Sequence, residues 1–252
     1  MTTQAVILEK HRAVGWLTLN RPEQRNAINQ DMRDGLAAGL AELDEDSAIL
    51  VVVLTGEGSA FCAGVDLTES VSGDPATRPP VAAPLWEFRK PIVAALNGAA
   101  VGGGLEIALS CDIRLAAETA RFGLTEVKIG SLAGSGGTQL LPRVVGASHA
   151  AHMLFTGELI EADQALRIGL ISECVPRDEL SGRARSLAER IAQHAPLSLL
   201  AAKRTLRAAF ELPFAQGQAL ERELWAQLAA TEDRAEGRAA FREKRPPRFT
   251  GK

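Results

Sequence analysis

Two glutamates and three glycine clusters stand where this chain could do chemistry. Glu106 sits in GGGLEIALSCDI, an otherwise apolar stretch. A carboxylate buried there must be paired, protonated or functional, because an unpaired buried charge is expensive. A structural salt bridge would answer as well as a catalytic role. Glu126, in FGLTEVKIG three residues after Gly123, reads most simply by itself as an acid favoured at the start of a helix. Segments 59–67 (SAFCAGVDL) and 97–106 (NGAAVGGGLE) each follow an apolar run and consist of small residues. Such strand–turn–helix joints expose unpaired backbone amides at a helix start. Two amides converging on one point form an oxyanion hole. Close packing of helix on strand would require the same glycines.

The third cluster, Gly134-Ser135-Gly136-Gly137, is no phosphate loop, since no GK[ST] follows, and Gln139 takes the last position of GxGxxG. With Ala133 it comes within one residue of GxSxG, which would make Ser135 a nucleophile. That motif needs a strong strand before it, and TEVKIGSLA is a weak one. The four histidines show no metal spacing. His149 and His152, three apart on an expected helix with no obvious acidic partner, read as solvated or capping residues.

The elements that must position these residues alternate. Val6–Glu9 and Val14–Leu19 flank a polar turn and predict a hairpin. From Asn29, a plausible N-cap, to about Glu45 the apolar spacing is helical. Ile49–Leu54 and Ile92–Leu96 are continuous apolar runs expected to form buried strands, Leu105–Leu109 reads as a helix, and Ile113–Ala116 as a further short strand. This alternation indicates an α/β fold. Residues 68–84 are turn-rich and predict a surface loop or lid, with Trp86 narrowing a pocket beside it. From about Glu179 the sequence is nearly all helix-forming, with Pro196 and Pro213 expected at helix starts. This charged tail looks like a packing or oligomerisation unit.

A length of 252 residues, 46% hydrophobic and 23% charged, supports a real core and argues against disorder. A net charge of −3 gives no electrostatic case for nucleic acid or an anionic membrane. The N-terminus does not read as a signal peptide, and Pro91–Leu109, the longest apolar region, is too interrupted for a membrane span. Cys62, Cys111 and Cys174 read as small buried residues in a reducing, cytoplasmic compartment.

Five stretches, taken in order, resemble the enoyl-CoA hydratase/isomerase (crotonase) family. They are Leu19-Asn20-Arg21-Pro22 with Arg25-Asn26-Ala27; AFCAGVDL; NGAAVGGGLEIALSCDIRLA; FGLTEVKIGSLAGSGGTQLLPRVVG; and the ending from Thr231-Glu232-Asp233 through Phe241 and Lys244 to Thr250-Gly251. The resemblance implies an α/β, crotonase-type spiral of ββα turns over 1–195, followed by a C-terminal helical trimerisation region over 196–252. It implies a homotrimer or dimer of trimers, no permanently bound cofactor and no metal, with coenzyme A entering as part of a thioester substrate. By motif position, Ala63 and Gly103 would supply the oxyanion-hole amides and Glu106 and Glu126 the two acids. Gly134 would hold the attacking water by its amide. Ala27, Ala63, Asp66 and Leu67 would wrap the adenine end of coenzyme A, and Arg25 would meet a phosphate. Phe241 and Lys244 would reach the cofactor of a neighbouring subunit. The implied reaction is addition of water across the 2,3 double bond of an acyl-CoA, since both acids are present. Isomerisation or an unusual dehydration on the same fold is the alternative. Ala133, Lys128 and Ser131 depart from the family's commonest residues and imply a reshaped acyl pocket.

Overall fold

A computed structural model describes residues 4–68 and 79–252. The hairpin forms as expected: β1 (Val6–His11) pairs antiparallel with β2 (Val14–Leu19), Val6 opposite Leu19. Helix α1 (Gln30–Glu45) begins at Asn29, whose side chain accepts from the Met32 amide at 3.0 Å. After it come β3 (Val51–Gly56), β4 (Ala60–Cys62), α2 (Ala83–Glu87), β5 (Ile92–Leu96), β6 (Ala99–Val101) and α3 (Gly103–Ser110). Then follow β7 (Ile113–Ala117), β8 (Arg121–Gly123), a 3-10 turn at Glu126–Ile129, α4 (Gly137–Val145) and α5 (Ala147–Thr156). Each turn of the chain therefore runs strand, strand, helix. Both strands of the first turn lie in one sheet, ordered β1-β2-β3-β5-β7-β10; from β3 to β8 the first strand of each turn joins that sheet and the second joins a smaller one, ordered β4-β6-β8-β9. Here β9 is Ile160–Glu161 and β10 is Glu173–Val175, with α6 (Ala162–Arg167) between them. From β2 onward the large sheet is parallel.

Strand periodicity explains the layering, because alternate side chains face opposite ways. Val52, Leu54, Ile92, Ala94 and Leu96 face the main core shared with α1 and α3. Val51, Val53, Val93, Ala95 and Leu115 face Leu180, Ala184, Leu187 and Ala188 of α7 (Leu180–Ile191). A strand covered on both faces reads as an unbroken apolar run, which is why these strands were legible. Two sequence expectations need correction. TEVKIGSLA holds no strand; its Glu126–Ile129 part coils as a 3-10 turn ending at Gly130, whose φ of +70° suits glycine. His152 does have an acid nearby, since its Nε2 lies 3.4 Å from Glu158 on the surface. The loop expected over 68–84 falls mostly outside the described residues. Cys62 and Cys111 are buried and Cys174 half-buried.

The tail forms α8 (Pro196–Ala208), α9 (Phe214–Ala229) and α10 (Glu232–Glu243), with Pro196 and Pro213 at helix starts. Its last turn is closed by Asp233, which accepts from the Thr250 and Gly251 amides at 2.6 and 2.9 Å. One buried cation ties the tail to the sheet. Lys203 Nζ lies 2.7 Å from Asp112 and donates to the Lys90 carbonyl at 2.6 Å. Burial pulls its pKa down to about 8. Lys203→Met should destabilise the protein by about 3 kcal/mol in denaturant unfolding, because Asp112 loses its closest cation in a poorly solvated place. A change within about 0.5 kcal/mol would show that the pair contributes nothing to docking α8.

Candidate active site

The site gathers at the start of α3. Gly102 precedes the helix with φ +54°, and its amide donates to the Gly123 carbonyl at 2.9 Å. A Cβ on Gly102 would lie 3.1 Å from Glu126 Oε1, so only glycine leaves the carboxylate its room. A Cβ on Gly103 would come within 3.9 Å of Glu106 Oε2. The two acids therefore flank one helix terminus, although 20 residues separate them in sequence.

They are held differently. Glu106 Oε1 accepts from the Ser135 amide at 2.6 Å and the Gly137 amide at 2.9 Å. Its partners are backbone amides, so the salt-bridge reading gives way to a carboxylate aimed by the loop before α4. Burial pushes the Glu106 pKa up, the two amides pull it down, and the charge of Glu126 raises it further. Glu126 Oε2 is buried without a partner among the described residues. Burial raises its pKa too. An unsatisfied buried carboxyl oxygen beside a second raised carboxyl is an arrangement suited to proton transfer.

The backbone donors depart from expectation at one residue. The Ala63 amide already donates to the Arg25 carbonyl at 3.0 Å, because the strand β4 ends there against the Arg25 turn. It is not open to a ligand. One residue on, the chain turns at Gly64 (φ +96°), where a Cβ would lie 2.9 Å from the Val101 carbonyl and 3.6 Å from the Gly103 nitrogen. That close approach brings Val65 against Gly103. Among the described residues neither the Val65 nor the Gly103 amide meets an acceptor. The sequence signal for Val65 was the positive-φ glycine before it, which inverts which amides face outward. The Gly134 amide is likewise without an acceptor, and Gly134 is exposed.

The other expected residues are placed as follows. Arg25 stands in the left-handed region at φ +52° and is exposed. Asp66 pairs with Arg21 at 3.1 Å and accepts from the Thr68 hydroxyl at 2.6 Å, and these contacts hold its carboxyl below the usual range. Its carboxylate is thus committed to shaping the turn. Leu67 is 72% exposed and Phe241 86%. Lys244 ends α10 in the left-handed region. Ser135 is no nucleophile of a triad: its hydroxyl accepts from the Val81 amide at 3.2 Å, and no histidine bonds it among the described residues. Sequence reading missed Asn26 and Asn97. Asn26, fully buried, accepts from the Arg21 amide and donates to the Glu57 and Ala60 carbonyls. Asn97 accepts from the Gly56 amide and donates to the Gly58 and Ala60 carbonyls. Together they fix the turn that leads into β4.

Residues 9–252 match the family profile described as enoyl-CoA hydratase/isomerase. The chain belongs to this family. It is 46% identical over 252 residues to a 2,3-dehydroadipyl-CoA hydratase of Escherichia coli K12, covering 98% of this chain and 99% of that one. It is 45% identical over 256 residues to an (E)-benzylidenesuccinyl-CoA hydratase of Thauera aromatica, with 98% and 99% covered. Among solved structures, the enoyl-CoA hydratase of Bacillus anthracis superposes with a TM-score of 0.93 at 34% identity, covering 99% of this chain and 100% of that one. The two interleaved sheets and their ββα turns are thus the crotonase fold.

The raised carboxyls carry a stability signature. The folded protein keeps the Glu126 proton to higher pH than an unfolded chain, whose value is near 4.5. Its stabilising contribution is full below that value and is lost as pH rises through the raised one. Gln cannot ionise and escapes the loss. Glu126→Gln should therefore gain in melting temperature relative to the parent as pH rises above 4.5, which a calorimetric pH series measures. A steady loss across that window would mean that a cation pairs with the carboxylate.

Proposed function

We propose that this protein hydrates the 2,3 double bond of acyl-CoA thioesters. The observation that carries the reading is the placement of two desolvated carboxyls on either side of a helix start whose first amide is open. The thioester oxygen lies between the Val65 and Gly103 amides. When water attacks C3, the pair of electrons from the double bond moves toward that oxygen, and the two amides stabilise the enolate. Each such donor is worth roughly 3–4 kcal/mol. Glu126, with an unengaged carboxyl oxygen, takes the proton from water. Glu106, fixed at one oxygen by Ser135 and Gly137, orients the same water with its other oxygen, and the Gly134 amide steadies it. A proton returns to C2, so the elements of water are added and nothing is oxidised or reduced.

The coenzyme A portion follows the surface at Arg25, Ala27 and Ala63 toward Leu67. The Asp66–Arg21 pair supports this surface from beneath. Residues 196–252 form the oligomerisation unit of a trimer or dimer of trimers. There Phe214 and Phe241 are more than four-fifths exposed, Trp225 half so, and Phe241 and Lys244 stand ready for a neighbouring subunit's ligand. Among the described residues no helix is long and apolar enough to cross a membrane. The unpaired cysteines suit the cytoplasm as its location.

Glu106→Gln and Glu126→Gln should each lower kcat for crotonyl-CoA hydration by ~10²–10⁴-fold with little change in affinity for a product-like thioester. The double variant should cost far less than the product of the singles, because both act on one water. Folded variants that turn over as fast as the parent would end the two-acid reading. A parent that shifts 3-enoyl bonds but hydrates nothing would make it an isomerase. In sedimentation equilibrium the protein should behave as a trimer or hexamer, and a stable monomer at micromolar concentration would remove the shared Phe241 and Lys244 contact.

A further inference from the structure

The Val65 amide owes its direction to one short parallel bridge. Ile28 lies opposite Val65. The Ile28 amide donates to the Gly64 carbonyl at 2.8 Å, and the Ile28 carbonyl accepts from the Asp66 amide at 3.0 Å. Carbonyl and amide point opposite ways across a trans peptide. The peptide that gives its Gly64 carbonyl to Ile28 therefore sends the Val65 amide away from Ile28. Ile28 also touches the other donor residue, since a Cβ on Gly103 would meet Ile28 Cδ1 at 3.0 Å and Val65 Cγ2 at 3.6 Å. Two hydrogen bonds are a slight hold on a segment whose Val65 and Leu67 are exposed.

Arg21 spans that bridge. Its Nη1 donates to the carbonyl of Ala27, the residue before Ile28. Nη1 and Nη2 both donate to Oδ2 of Asp66, the residue after Val65, at 3.1 Å. One planar cation thus joins the two sides of the bridge at a fixed spacing, which a point charge would not define. Both partners are themselves held. The Arg21 amide donates to Asn26 Oδ1 at 2.8 Å, and the Arg21 carbonyl accepts from the Asn26 amide at 2.9 Å. The second Asp66 oxygen accepts from the amide and hydroxyl of Thr68. The Arg21 and Asp66 side chains are only 19% and 11% exposed, so water and salt screen the pair weakly.

We propose that Arg21 and Asp66 are positioning residues of the oxyanion hole: the pair clamps the Ile28–Val65 bridge and so fixes where the Val65 amide points. The inference rests on the enolate-forming reading of the site. A donor helps the reaction in so far as it is already aimed when charge develops on the thioester oxygen. A misplacement of about 1 Å can cost ~10²-fold in rate.

Arg21→Met, Asp66→Ala, the double variant and Arg21→Lys test this by three measurements. They are kcat for crotonyl-CoA hydration, calorimetric affinity for acetoacetyl-CoA relative to coenzyme A, and the near-ultraviolet band of bound acetoacetyl-CoA enolate. Coenzyme A has no thioester oxygen, so its binding reports a folded cofactor surface and the ratio reports the hole. Arg21→Met and Asp66→Ala should each lower kcat and the ratio by about tenfold or more and weaken the enolate band. The double variant should cost about as much as either single, because the two act as one clamp. Arg21→Lys, which keeps a cation without the fork, should fall between, and it decides the matter if Arg21→Met does not fold. Folded variants with the parent's kcat, ratio and band overturn the clamp and leave the hydratase reading standing. Equal losses of affinity for both ligands also overturn it, since the pair would then serve the coenzyme A surface alone. A parent that hydrates nothing, yet binds acetoacetyl-CoA as an enolate that the variants lose, overturns the hydratase reading and supports the clamp.

Discussion

Everything at this site depends on how one carboxylate is held inside an apolar helix. Glu106 lies in α3 among Leu105, Ile107 and Ala108, all buried. Desolvation there disfavours its charge. Two peptide amides, those of Ser135 and Gly137, compensate on a single oxygen, and the other oxygen faces Gly103. A salt bridge would have satisfied the group equally well while neutralising it for chemistry. Amides orient it by geometry, while burial still holds its pKa above the ordinary carboxylate value. Gly137 must be glycine for this, since a Cβ there would come within 3.0 Å of Glu106 Oε1 and 2.8 Å of Ala133 Cβ.

That arrangement constrains the spiral around it. The loop before α4 has to meet the start of α3, and the turn after β4 has to meet it from the other side. The two-sheet plan does both, because every passage from the large sheet through the small one delivers a turn to the same edge. Gly98 and Gly104 show how tight the delivery is: a Cβ on either would collide with backbone oxygens of Ser59 or Cys62 at 2.2 and 2.3 Å. Asn26 and Asn97 fasten the neighbouring turns with side-chain hydrogen bonds where strand pairing stops. The rigidity suits a reaction that needs preorganised donors.

The helical tail belongs to the same economy. Lys203 and Arg207 of α8 reach Asp112 and the Leu85 and Phe88 carbonyls, so α8 is fastened both to α2 and to the residue that precedes β7. The large apolar side chains left exposed on the tail mark it as the part of the chain with most still to bury.

By itself the sequence determined the strands that are covered on both faces, the N-cap at Asn29, the helix behind the glycines, and the two glutamates as the residues needing explanation. These are local or compositional facts: an unbroken apolar run, a capping side chain, a charge in an apolar stretch. It also carried the family resemblance, through motifs kept in order along the chain. Only the tertiary structure decided which amides are open. Ala63 and Val65 are two residues apart and chemically alike, and the choice between them turns on one positive-φ glycine and on the Arg25 carbonyl brought against β4 by the fold. Likewise, Asp66 looked like a ligand-facing acid until Arg21, distant in sequence, was found beside it. Glu126, which in sequence resembled an ordinary helix-start acid, acquired its raised pKa only when folding buried it next to Gly102. Hydrogen-bond partners and desolvation are properties of neighbours in space, and a linear pattern of residue types does not contain them.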